Sequence, residues 1–324
     1  MKTSMHWTGV GLLFTGLIAL SAVSEVRAQE VTLRAAMFVP PNTTFGEMCG
    51  RFIENVNQTG KGTVQVRSVG GPDAVPPFEQ GNAVRTGVLD IACLPPAFYV
   101  NTMPEADIAI LSTLSFAQQR QSGAWEALNR AHNQRMNSYL LAAYGDGVQF
   151  HVYSNKPVAK IEDLKALKLR TTPNYTPFFQ SLGATLITTA PGEVQTALER
   201  GVVDGYGWPL LGIFDQGWAQ HTKFRIDPGF YNVVVNVLVN FQKWGTLAEA
   251  QRAALTKSAA WLEVENVKWA AERSAAERKR QADAKIQLID LGPNFRKQAY
   301  EAYWAQIEKR APEQAKALRP MFDK

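Results

Sequence analysis

Apolar positions along this chain recur in two periods, and the switches between them mark out alternating strands and helices. VTLRAAMF, residues 31–38, reads as a strand. Beyond a Pro/Asn loop, Phe45, Met48, Cys49, Phe52, Ile53 and Val56 recur three or four residues apart, the stripe of a helix, and Thr44 and Glu47 have the spacing of a capping box at its start. TVQVRSV (63–69) returns to a period of two, GGPDAVPP (70–77) is a loop, Phe78 to Arg85 predicts a helix, and GVLDIACL (87–94) a buried strand. This alternation predicts an α/β fold with a largely parallel sheet.

A second such unit follows QFHVYSNKPV (149–158). LKLRT (167–171) is a strand, a helix runs around Pro177 to Leu182 and closes at Gly183, TLITTA (185–190) is a strand, GEVQTALERG a helix and VVDGYGW (202–208) a strand. Open sheets of this kind bind ligands at the carboxyl ends of their strands, which is where Arg170, Tyr206 and Trp208 fall. From Thr246 to Lys285 there is neither proline nor glycine, and Thr246 and Glu249 make a second capping box. One helix over 246–285 is expected, about 55 Å long at 1.5 Å per residue. Leu255, Trp261, Leu262 and Trp269 keep no heptad register, so it reads as a strut along two domains rather than a coiled-coil arm.

The N-terminus changes what counts as the folded protein. Lys2, the apolar run at 9–23 and the small residues Val26 and Ala28 form a secretory signal peptide over 1–28, cleaved after Ala28, too short and too charged at its end for an anchoring helix. The mature protein is therefore expected to be exported. The full chain carries a net charge of +5, or +4 without Lys2, Glu25 and Arg27, with basic residues spread among acidic ones; no nucleic-acid patch is indicated.

Candidate chemistry is sparse. His132, His151 and His221 have no metal-ligand spacing, and no nucleophile elbow, HExxH, Walker or dinucleotide motif stands in a suitable context, so no metal, no cofactor and no enzymatic activity are expected. Cys49 lies on a helix stripe and Cys93 in a buried strand; they can pair or remain two buried thiols. Arg170 is different. A guanidinium at the end of an apolar strand must reach water or meet an anion, because an unpaired buried charge costs several kcal/mol.

The run KIEDLKALKLRTTPNYTPFFQSLGATLITTAPGEVQTALERGVVDGYGWP, residues 160–209, resembles the diagnostic region of the DctP-type solute-binding proteins of TRAP (tripartite ATP-independent periplasmic) transporters, in DLK.LKLR, LGAT, EVQTAL and GVVDG in order and spacing. LDIA, VNFQKW and the long helix extend the likeness over the whole chain. The resemblance implies a two-domain venus-flytrap protein, with 29–150 and part of 236–280 in domain I, 151–235 and part of 281–324 in domain II, and the long helix spanning both. It implies a monomer that captures an organic acid and passes it to TRAP membrane permease subunits. The family's carboxylate-clamping arginine falls on Arg170, in keeping with the bidentate fit of guanidinium to carboxylate.

The chain departs from the family pattern elsewhere. GYGWP stands where many dicarboxylate and sialic-acid members carry GQENP, and QFHVYSN lacks their second arginine. Trp208 is similar to the tryptophan of a 2-oxo-acid branch, but its neighbours Gly207 and Pro209 supply no carboxylate for that branch's metal. One arginine among aromatics suits a monocarboxylate with an apolar or aromatic body better than a C4-dicarboxylate or a metal-assisted 2-oxo acid. Trp208 and Tyr206 are expected to wall that body, with Phe38 and Tyr99 opposite. Asn232 either adds a hydrogen bond or is a structural strand-edge residue. A sensor for a signalling receptor would share all these residues, whereas a hydrolase would need a nucleophile or metal that the sequence does not show.

Overall fold

The computed structural model describes residues 1–4, 6 and 29–323, so the apolar run and cleavage site of the expected signal peptide lie outside the described residues. The first unit runs β1 (Val31–Met37), α1 (Thr44–Thr59), β2 (Val64–Gly70), α2 (Pro77–Thr86), β3 (Ile91–Leu94), two 3₁₀ turns (Pro96–Phe98 and Pro104–Leu111), α3 (Phe116–Gln121), α4 (Ala124–Met136) and β4 (Ser138–Tyr144). The second runs β5 (Phe150–Ser154), β6 (Lys168–Thr171), α5 (Thr176–Ser181), β7 (Thr185–Thr188), α6 (Val194–Glu199), β8 (Gly205–Pro209) and β9 (Phe224–Asp227). Then follow β10 (Val235–Asn240), α7 (Phe241–Thr246), α8 (Glu249–Asp283), β11 (Gln287–Asp290), α9 (Pro293–Arg310) and α10 (Pro312–Phe322).

These strands form two sheets. Sheet I has the order β2-β1-β3-β10-β4, with β1 parallel to β2 and β3 and β10 antiparallel to both neighbours. Sheet II has the order β11-β9-β5-β8-β6-β7, and the predicted β6-α5-β7-α6-β8 unit is present with β6 parallel to β7 and β8. The chain crosses between sheets after β4 and again after β9. The two crossings pair with each other, Val233 N–H donating to Val148 (2.9 Å) and Phe150 N–H to Tyr231 (3.1 Å).

The stripe predicted for α1 is buried at every one of its six apolar positions. Its cap is not the predicted one. Thr43 is the N-cap, its hydroxyl accepting from Gly46 N–H, because Thr44 and Glu47 are engaged elsewhere: Thr44 with Asp215, Glu47 with Arg273 of α8 (2.9 Å). The two cysteines, left open by the sequence, are joined, tying α1 to β3.

The long helix is shorter than 246–285. Thr246 ends α7, its hydroxyl donating back to Lys243 O (2.8 Å), and α8 starts after Ala248, whose N–H is taken by the Gln251 side chain (2.8 Å). It nevertheless runs along both units. On sheet I's side Glu265 pairs with Arg51 (2.6 Å) and Trp269 meets the Phe45 ring edge-on (5.9 Å). At the first crossing the buried Asn266 accepts from Gly145 N–H (2.6 Å). On sheet II's side Gln281 accepts from Arg225 (2.7 Å) and donates to Leu210 O (3.0 Å). No helix among the described residues is long and apolar enough to cross a membrane.

Candidate functional site

The strands of sheet II end where the loops of sheet I come closest. There, a cavity of about 30 Å³ is lined from sheet I by Phe38, Phe45, Pro95, Ala97 and Phe98, from sheet II by Phe150, Thr172, Asn174, Tyr175, Trp208 and Pro209, and from the crossing by Val233 to Val235. That is room for about two waters. A larger molecule fits only if the two walls separate.

Arg170 sits on β6, fully buried, and no carboxylate among the described residues lies within 4.0 Å of it. Its Nε (3.1 Å) and Nη2 (2.8 Å) donate to the Thr189 carbonyl, and Nη1 donates to Gly207 O (3.4 Å). Three of the five guanidinium N–H groups are thus held by neutral oxygens, which orient the cation without neutralising it. Burial pulls its pKa down to about 10, against the opposing pull of Tyr175 and Glu193. It is still charged at neutral pH. The guanidinium carbon stands 5.8 Å from the Trp208 ring centre, so it lies just behind the cavity wall rather than in it.

Gly207 shows how β8 is made to fit. A Cβ there would lie 2.8 Å from the Tyr175 ring and 2.9 Å from that of Phe179, so only glycine lets the strand press against α5. Of the glycines in GVVDGYG, Gly201 makes the turn ahead of the strand, at φ 64°.

Of the residues expected around the ligand, Trp208 and Phe38 line the cavity and Arg170 stands behind it. Tyr206 is two residues below Trp208 on the strand and belongs to the core beneath, stacked on Tyr153 (5.1 Å) with its hydroxyl 2.6 Å from that of Thr222. Tyr99 is likewise absent from the lining, its hydroxyl engaged by His132 (3.0 Å) and by Asn236, which donates to it (2.6 Å). Asn232 lies in the second crossing and donates to Ser112 O (2.6 Å), a contact that ties the crossing to the first unit.

Thr172, Asn174 and Tyr175 were not singled out. Their signal was position, since they directly follow Arg170 at the end of the strand. The Thr172 hydroxyl donates to Asn174 Oδ1 (2.6 Å), and burial pushes the Tyr175 hydroxyl's pKa up. Phe45 was read only as part of a helix stripe, yet it also walls the cavity. No group of three or more His, Cys, Asp or Glu among the described residues is arranged to hold a metal.

Known proteins share this architecture. The TRAP periplasmic solute-binding protein of Desulfovibrio salexigens, solved with bound orotic acid, superposes with a TM-score of 0.81 at 21% identity, over 90% of this chain and 97% of that one. A Bordetella pertussis extracytoplasmic solute receptor binding pyroglutamic acid gives 0.78 at 18% identity, covering 90% and 99%. In sequence, a monocarboxylate 2-oxoacid-binding periplasmic protein of Nostoc sp. is 23% identical over 261 residues, 73% of this chain and 70% of that protein. The model of bacterial extracellular solute-binding proteins, family 7 (DctP), matches residues 35–313, and the chain belongs to that family.

Proposed function

We propose that the protein captures an organic acid between the two sheets and delivers it to the membrane subunits of a TRAP transporter, and that its ligand is a monocarboxylate with an apolar or aromatic body. Arg170 takes the carboxylate. The observation carrying this reading is a buried, charged guanidinium held only by neutral carbonyl oxygens, beside a cavity walled by aromatic rings. A ligand carboxylate supplies the missing counter-charge, and the two N–H groups not held by Thr189 and Gly207 suit its two oxygens. Phe38, Phe45, Phe98 and Trp208 then enclose the body.

The similar proteins support the same chemistry, one named for 2-oxo monoacids and others solved with orotic and pyroglutamic acid. A second carboxylate would need donors of its own, and sheet II brings no other arginine or lysine to the cavity wall. The test is a thermal-shift screen across aliphatic, oxo, aromatic and dicarboxylic acids. Monoacids with a ring or branched chain are expected to raise Tm most, whereas a far larger shift with succinate or malate overturns the ligand class.

A further inference from the structure

The cleft is also bridged at its mouth. Thr44, the first residue of α1, donates its backbone N–H to Asp215 Oδ2 (2.8 Å), and its hydroxyl donates to the same oxygen. Asp215 belongs to the loop after β8, so the contact joins the two units directly, passing through neither the crossings nor α8. The carboxylate sits at the positive end of a 16-residue helix, where a negative charge is favoured.

The contact shares its ground with the cavity wall. A Cβ built on Gly212 would lie 3.4 Å from Trp208 Nε1, 3.8 Å from Asp215 Oδ2 and 4.0 Å from Phe45 Cε2. Trp208 and Phe45 are opposite walls of the cavity, and Phe45 directly follows Thr44. Separating the walls to admit an acid carries Thr44 away from Asp215. Bringing them together restores both hydrogen bonds.

We infer that Asp215 is a closure latch, a positioning residue that touches no ligand but sets the balance between open and closed forms by docking on the N-terminus of α1. A contact made in only one of two states shifts their ratio by its whole strength. It therefore multiplies the affinity for every ligand by the same factor and leaves the order of preference among ligands unchanged. Glu47 and Arg273, paired at 2.9 Å, do not serve this purpose, because α1 and α8 are both on sheet I's side at that point.

The test needs no ligand and so stands apart from the assignment of Arg170. No free cysteine is present among the described residues, so spin labels go selectively onto Glu54→Cys on α1 and Gln220→Cys beyond β8, both exposed positions. Distance distributions are then measured by pulsed electron resonance in the mature protein, with and without Asp215→Ala. The expected result is a rise of about fivefold in the ratio of long to short distances, with Asp215→Asn intermediate and Tm unchanged within error. Thr44→Val, which keeps the backbone donor, is expected to give a smaller rise and to add nothing to Asp215→Ala. Superimposable distributions for wild type and Asp215→Ala overturn the latch, as does a full additive effect of Thr44→Val in the Asp215→Ala background.

Discussion

Sheet I meets the cavity with Phe38, Phe45, Pro95, Ala97 and Phe98, side chains without charge or strong donors, whereas sheet II meets it with Thr172, Asn174, Tyr175 and Trp208, with Arg170 behind them. The two walls differ because they are made by different devices. Sheet II's polar groups come from the ends of adjacent parallel strands, where backbone carbonyls such as those of Thr189 and Gly207 are available to orient a cation. Sheet I's wall comes from loops anchored by a disulfide and a packed helix. On the proposed reading one wall recognises the acid and the other excludes water, which strengthens the charge pairing at the first.

The largest break in this asymmetry is Arg170→Ala. It removes the buried cation that sheet II holds beside the cavity and leaves sheet I untouched. A loss of about 2 to 5 kcal/mol in binding free energy is expected, the range for truncating one partner of a buried charge pair. Calorimetry with the best acid from the screen checks it, and an unchanged affinity would remove Arg170 from the site.

Sheet I is challenged through its staple. The Cys49–Cys93 bond closes a loop of 44 residues, and in the chain-entropy picture opening such a loop costs about 4 kcal/mol of stability. Cys49→Ser with Cys93→Ser is expected to lower the urea midpoint strongly while acids that still bind keep their order of preference. If the midpoint does not move, the bond contributes nothing to holding sheet I's wall.

The smallest effect lies in pH. Burial holds His132, under sheet I, down at about 4, so it is neutral in the fold near pH 7, and burial lowers His151 of sheet II as well, against the pull of Asp227. The unfolded chain binds those protons more readily, and stability accordingly rises with pH from about 4 to the ordinary histidine value. Asp107, buried under α9 with Tyr303 donating to it, works the other way, because burial raises it to about 7. The folded state keeps that proton while the unfolded chain loses it near 3.8, so stability falls as pH rises through the same window. Asp107→Asn removes the opposing contribution. Thermal melts should then show Tm climbing more steeply between pH 4.5 and 7 than in wild type, by about two degrees; identical profiles would show that Asp107 does not titrate there.

Periodicity made the β-α-β-α-β unit and the α1 stripe legible, because both rest on local spacing that burial enforces. Arg170 was expected to reach water or meet an anion; instead the strand ends bury it on the neutral carbonyls of Thr189 and Gly207, partners that a local window does not show. Depth along a strand was not legible. Tyr206 and Trp208 are two residues apart on one strand and share its face, both packed on Trp218, yet Tyr206 lies deeper, in the core against Thr222, while Trp208 reaches the cavity. Capping failed in an instructive way. Thr44 and Glu47 had the right spacing for a box, but long-range partners, Asp215 and Arg273, outcompeted the local bonds, and Thr43 took the cap. Contacts 171 and 226 residues away leave no trace in a local window.

The strand order of sheet I also governs when the protein can fold. β3 and β4 are not neighbours, because β10, nearly a hundred residues beyond β4, fills the slot between them. As the chain emerges from its N-terminus, the first unit therefore has two apolar edges facing an empty slot until residue 240 arrives. Such edges are templates for pairing with other chains, so the nascent first half is the species most in need of a chaperone. The disulfide, formed wholly within that half, can staple α1 to β3 before the sheet is complete, but it cannot close it. A truncation ending at Tyr144 is thus an aggregation-prone half-sheet rather than a free-standing domain.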